Sequence, residues 1–196
     1  MNLAFSETMK KIQTFVLIAF YCFGYLLLAA HSTANEVYNL DQGLLSRSIS
    51  AENPDGESGA GAQASSLLGV GRKGSPYITI QPGEIVELAN IKGKGTIRHI
   101  WMTTPYKNPK VFRSTVIRGF WEGQKHASIE VPLGDFAGFA HGKVTAYQSA
   151  MHSLGEKAGM NIWFKMPFTK QARMTISNEG TETMIVFYQI DYTLGD

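Results

Sequence analysis

Near its end the chain alternates: Met184, Val186, Tyr188, Ile190 and Tyr192 occupy every second position, with Ile185, Phe187, Gln189 and Asp191 between them. A period of two sends successive side chains to opposite faces of an extended strand. The stretch therefore predicts a strand with one face in a core and the other turning polar toward its end. The same period marks Tyr77 to Ile80, Ile85 to Ile91, Thr96 to Thr103, Phe112 to Trp121, His126 to Val131, Asn161 to Met166 and Ala172 to Asn178. Strand after strand with no long helical pattern predicts an all-β fold, in which each sheet buries its apolar face against another. Turn residues punctuate the runs at Pro82-Gly83, Trp121-Glu122-Gly123-Gln124 and Asn178-Glu179-Gly180. About eight strands suit a single jelly-roll β-sandwich; the Cys and Trp markers of an immunoglobulin sandwich are missing.

Composition agrees with one compact domain. The 196 residues are 44% hydrophobic and 11% aromatic, too apolar for a disordered chain. Eighteen Lys and Arg stand against 16 Asp and Glu, and no run of like charge exceeds a basic pair. That pattern carries no electrostatic footprint for a nucleic-acid partner. Cys22 is the single cysteine, so an internal disulfide and a zinc site of several thiolates are both excluded.

The first 34 residues read as a secretory signal. Phe15 to Ala30 is an uncharged apolar run preceded by Lys10 and Lys11 and followed by His31-Ser32-Thr33-Ala34. A basic start, a short apolar middle and small residues at alternate positions predict cleavage after Ala34. The run falls short of the roughly 20 residues of a spanning helix, so no stable membrane span is expected, and an uncleaved anchor is the rival reading. The division is thus residues 1–34 as signal peptide and 35–196 as the jelly-roll domain, with a secreted or periplasmic destination.

Two long segments lack strand periodicity and become the places to look for function. Ala51 to Pro76 is rich in Gly, Ala and Ser, the composition of a surface strap. Its Gly69-Val-Gly-Arg-Lys-Gly-Ser75 is no phosphate loop, because Pro76-Tyr-Ile-Thr-Ile80 continues as strand rather than helix. Pro132 to Met160 combines Asp135, Phe136, Phe139, His141, Tyr147, Gln148 and His152. Polar groups interleaved with aromatic faces match a sugar ring, which needs hydrogen bonds at its edge and an apolar platform beneath. His99 and Trp101 lie two apart on one strand and share a face; His99 reads as a hydrogen-bonded structural histidine. The histidine spacings are not those of a metal site, and no serine nucleophile elbow occurs. Carboxylates remain for chemistry, with Glu52, Asp55 and Asp135 outside the strands, although each also suits a turn. Glu130 and Asp191, on strands, read as ion-pair or edge groups.

A colinear string of motifs adds a resemblance: Ser48-Ile-Ser-Ala-Glu-Asn-Pro-Asp-Gly56, Gly71-Arg-Lys-Gly-Ser-Pro76, Gly95-Thr-Ile-Arg-His-Ile-Trp-Met102, Glu122-Gly-Gln-Lys-His126, Glu130-Val-Pro-Leu-Gly-Asp-Phe136, Tyr147-Gln-Ser-Ala-Met151, Gly159-Met-Asn161, Met166-Pro-Phe168 and Tyr188-Gln-Ile-Asp-Tyr-Thr193. In these the chain resembles the domain-of-unknown-function 2961 proteins, grouped with glycoside hydrolase family 172, from about Ser46 to Leu194. The resemblance implies two successive jelly rolls assembled into trimers or dimers of trimers. It also implies retaining hydrolysis or transglycosylation of α-D-fructofuranosides or α-D-arabinofuranosides, with no metal or organic cofactor. In relatives the catalytic glutamates lie in second-jelly-roll segments resembling Trp-Trp-Gly-Glu-Gly-Glu and Gly-Thr-Gly-Thr-Glu-Asp-Tyr, which no stretch of this sequence matches. The resemblance therefore assigns a catalytic role to no residue here. It leaves a substrate-binding wall: Glu52 and Asn53 for ring hydroxyls, Trp101 for stacking, and Asp135, Phe136, His141 and Gln148 lining the pocket. The expected partners are a furanoside-containing glycan and either further copies in a trimer-based homo-oligomer or a missing second jelly roll. The alternative is a non-catalytic carbohydrate-binding or oligomerising module.

Overall fold

The computed structural model describes residues 43–63, 74–106, 108–139, 141 and 143–195. The predicted signal peptide and the glycines at 69 and 71 lie outside the described residues. Among the described residues, strands account for nearly all regular structure: β1 (Leu45–Ser50), β2 (Ile78–Ile80), β3 (Ile85–Lys92), β4 (Gly95–Thr103), β5 (Thr115–Trp121), β6 (Ile129–Pro132), β7 (Tyr147–Gln148), β8 (His152–Leu154), β9 (Met160–Ile162), β10 (Met166–Phe168), β11 (Gln171–Asn178) and β12 (Met184–Leu194). Two short helices, α1 (Pro109–Ser114) and α2 (Leu133–Phe136), flank β5 and β6.

The strands form two antiparallel sheets packed as an all-β jelly-roll sandwich. The larger runs β1-β12-β4-β9-β8-β7, with β10 on β4 and β2 on β12; the smaller runs β3-β11-β5-β6. The alternation at the end of the sequence has its predicted consequence, since Met184, Val186, Tyr188, Ile190 and Tyr192 of β12 are all buried. Facing them across the sandwich are Leu88 and Ile91 of β3, Ile117 of β5, and Met174 and Ile176 of β11. Burial pushes the Tyr188 phenol up to about 12, since the neutral form alone tolerates a dry core.

Three differences from the predicted strands have local causes. Phe112 begins no strand: Pro109 occupies the first helical turn and the Asn108 side chain accepts from the Lys110 amide at 3.0 Å, so the chain turns through α1 before β5 starts at Thr115. The run Asn161 to Met166 divides into β9 and β10. Strands β7 and β8, of two and three residues, are too short to carry a readable period.

A bulge in β4 sets the outer face. Asp191 pairs with His99 but Tyr192 pairs with Ile97, leaving Arg98 as the extra residue. Ile97 and Ile100, three apart, consequently both enter the core, and the side chains of His99 and Trp101 turn to the opposite face.

Candidate functional site

On that outer face one register row crosses six strands. Ser50 of β1 pairs with Gln189 of β12, Gln189 with Trp101 of β4, and Trp101 with Asn161 of β9. Asn161 pairs with Ser153 of β8, and Ser153 with Gln148 of β7. Directly opposed residues share a face at strand spacings of about 4.8 Å, so Trp101 and Gln148 stand roughly 14 Å apart along one line. A second row, Ser48, Asp191 and His99, lies beside the first.

Side chains of the two rows join in a chain of hydrogen bonds. The Gln189 amide donates to Asp191 Oδ1 at 2.9 Å, and Asp191 Oδ2 lies 2.9 Å from His99 Nδ1. On the far side of the ring, His99 Nε2 lies 3.1 Å from Asn161 Oδ1, and Asn161 Nδ2 donates to the Ser153 hydroxyl at 3.1 Å. Burial alone would raise the Asp191 carboxyl; the bonds from His99, Gln189 and Ser48 outweigh it and hold the group below its ordinary value. Above the imidazole lies the indole of Trp163, stacked at 5.7 Å between ring centroids and 17° between planes. Trp163 is 38% exposed and follows the end of β9, where its backbone amide donates to the Met151 carbonyl at 2.9 Å.

The seven residues expected to line a sugar pocket fall into separate places. Trp101 and Gln148 share the outer row. Glu52 comes just after β1 and accepts from the Ser75 amide at 3.3 Å. Asn53 is spent on its own turn: its amide donates to the Ser48 and Glu57 carbonyls and its oxygen accepts from the Glu57 amide at 3.1 Å. Asp135 on α2 is ion-paired to Arg113 of α1. Phe136 is 6% exposed and belongs to the core. His141 is exposed in the segment between α2 and β7. The His99 reading as a hydrogen-bonded histidine matches its two bonds; Glu130 is ion-paired to Arg118, and Asp191 is hydrogen-bonded to His99.

Sequence reasoning missed Ser153 and Trp163, and met Gln189 and Asn161 only as strand positions and letters of a motif. What unites them is the order β12-β4-β9-β8, a pairing of strands remote in the chain. Trp163 carried one available signal, an aromatic two residues beyond Asn161.

A sizeable concavity lies elsewhere. A groove of about 640 Å³ beside α1 and the β11–β12 turn contains none of the seven residues. The buried amide in its wall, Asn178, already donates to the Ile80 and Glu182 carbonyls and accepts from the Gly180 amide, so both of its donors are taken. The outer face, with its aligned polar groups and two indoles, has the better chemistry for a hydroxyl-rich ligand. Among the described residues no group of three His, Cys, Asp or Glu is arranged to hold a metal, and no helix is long and apolar enough to cross a membrane.

The sequence profile of a family described as GH172 domain-like matches residues 73–187. No curated protein matches. Among solved structures, the Drosophila melanogaster CENP-C cupin domain is similar over 59% of this chain and 57% of that one, at 9% identity and a TM-score of 0.26. The capsid of Helicobacter pylori bacteriophage KHP30 is similar over 62% of this chain and 90% of that one, at 9% identity and 0.33. The infectious bursal disease virus Gt strain aligns over 78% of this chain and 32% of that one, at 11% identity and 0.32.

Proposed function

The chain belongs to the GH172 domain-like family, and from that membership we propose that it supplies the substrate-binding wall of a furanoside-processing site. Its ligand is a glycan bearing α-D-fructofuranosyl or α-D-arabinofuranosyl units. The observation that carries the reading is the outer row Gln189, Trp101, Asn161, Ser153 and Gln148, an indole set in a line of amides and a hydroxyl on one rigid sheet. A furanose ring presents hydroxyls at its edge and a modest apolar face, and this row offers counterparts to both.

The wall binds without cleaving by itself. Hydrolysis with retention needs two carboxyl groups about 5–5.5 Å apart, one to deliver a proton and one to attack. Three acids considered for the site already have partners: Asp191 bonds His99 and Gln189, Asp135 bonds Arg113, and Glu52 accepts from the Ser75 amide. In this reading the proton donor and nucleophile come from a second jelly roll or a neighbouring subunit.

Titration of the full chain with arabinofuranosyl and fructofuranosyl oligosaccharides tests this. The expected result is saturable binding without sugar release, weakened about tenfold by Trp101→Ala, the share of one stacking contact, at unchanged melting temperature. Turnover that disappears on replacing Asp191, Glu52 or Asp135 would overturn it.

A further inference from the structure

His99 sits at the centre of the outer face with acceptors on both sides. Asp191 Oδ2 lies 2.9 Å from Nδ1 and Asn161 Oδ1 lies 3.1 Å from Nε2. Only the doubly protonated ring donates at both nitrogens. When the ring is neutral with its proton on Nδ1, the Nε2 lone pair confronts the Asn161 oxygen. The amide then relieves the repulsion by turning over. Its NH2 donates to Nε2, and its oxygen accepts from the Ser153 hydroxyl, which in the other orientation accepted from Nδ2. One proton on His99 thus decides whether Asn161 and Ser153 present a donor or an acceptor to whatever lies on the sheet.

The same ring carries Trp163. Its indole covers the imidazole on one side and remains 38% exposed. It stands two residues beyond Asn161, so the apolar plate and the amide lie side by side. A protonated ring holds the indole by cation–π attraction as well as by contact. The charged group facing His99 is Asp191 from β12; β9 contributes the neutral amide of Asn161 and the turn after it the neutral indole. Arg98, the bulged neighbour, sends its Nε to the Thr193 hydroxyl at 3.0 Å.

We infer that Trp163, Asn161 and Ser153 form a subsite for one uncharged sugar ring, with His99 as the positioning residue that sets its donor pattern by protonation. The inference rests on the glycan-binding reading above and deepens it. The ligand class is set by the groups: hydroxyl-matching amide and alcohol, an aromatic plate, and a carboxylate already hydrogen-bonded to the imidazole and to the Gln189 amide.

Nuclear magnetic resonance on the full chain distinguishes the outcomes, because each of the three tryptophans carries one indole N–H. With methyl α-D-arabinofuranoside and methyl α-D-fructofuranoside as probes, the Trp163 signal shifts saturably and that of Trp121 stays in place. Asn161→Ala weakens this binding by about tenfold, the loss of one well-made hydrogen bond. In wild type the affinity changes with pH; in His99→Gln the profile is flat while the melting temperature at neutral pH stays close to wild type. Binding that needs Trp101 but is unchanged in Asn161→Ala and Trp163→Phe, with the Trp163 signal still, would overturn the subsite and leave the binding wall intact. Failure of both glycosides and of the longer oligosaccharides to bind wild type at any pH would overturn both. A His99→Gln profile as steep as wild type would overturn the positioning role.

Discussion

Guanidinium nitrogen Nη1 of Arg113 lies 2.5 Å from one carboxylate oxygen of Asp135 and 2.6 Å from the other. The pair ties α1 to α2, and its members are 51% and 30% exposed. An ion pair with that much water around it contributes roughly 0.2–1 kcal/mol. Asp135→Ala is therefore expected to lower unfolding free energy by about that amount in a urea titration, and to leave glycan affinity unchanged. Loss of affinity at full stability would return Asp135 to the sugar site.

Glu122 fastens a different corner. It occupies the turn after β5 at φ 57°, followed by Gly123 at 76°. Its carboxylate accepts from the Thr169 amide at 2.7 Å, the Thr169 hydroxyl at 3.0 Å and the Lys170 amide at 2.7 Å. The bond from the Thr169 amide leads the effects that hold the carboxyl below its ordinary value of 4.5. A carboxyl depressed in the folded state gives stability that is complete above the unfolded value and lost as pH falls through the folded one, because the unfolded chain binds the proton first. The melting temperature should accordingly fall as pH drops below 4.5, and Glu122→Gln should flatten that decline. Asp191 and Glu179 are lowered in the same sense and leave a residual slope. An unaltered acid limb in Glu122→Gln would refute the clasp.

The sandwich was legible because burial on one face enforces alternation, and β12 shows it over its whole length. Helix α1 was not: Val111 and Phe112 continue an apolar run into β5, and only the cap at Asn108 with Pro109 reveals the turn. The outer row was half legible. Trp101 and Gln148 stood out as an aromatic and an amide of suitable type, but their common line depends on β4, β9, β8 and β7 lying in that order, which no local pattern encodes. Residue type also hides occupancy. Asn53 and Asp135 have the right groups for a sugar, yet Asn53 is bonded within its own turn and Asp135 to Arg113 of the neighbouring helix.

Two glycines separate steric from conformational demand. A methyl on Gly95 would run into the Thr193 carbonyl oxygen and come within 2.9 Å of the Phe168 ring. Gly95 is paired on both sides, to Leu194 of β12 and Phe168 of β10, so the strand has nowhere to retreat. Gly83 has open space but a φ of +78°. Gly95→Ala should cost about 1–3 kcal/mol through overpacking and Gly83→Ala about 1 kcal/mol through left-handed strain. Thermal unfolding of the two variants checks the order; a larger loss at Gly83 would mean that β4 and β12 separate more easily than their pairing implies.

Phe112 anchors the element that sequence periodicity misassigned. It is fully buried, and its ring meets that of Phe139 edge-on at 4.9 Å. A six-residue helix has no stability of its own in water, so α1 persists because this ring is held in the core. Phe112→Ala should cost about 3–5 kcal/mol, the range for removing a buried phenyl group. Asn108→Ala, which removes only the cap, should cost about 1 kcal/mol. Denaturant titrations of both variants measure the difference. A Phe112→Ala loss no larger than that of the cap variant would show that α1 rests on its own hydrogen bonds and not on the ring beneath it.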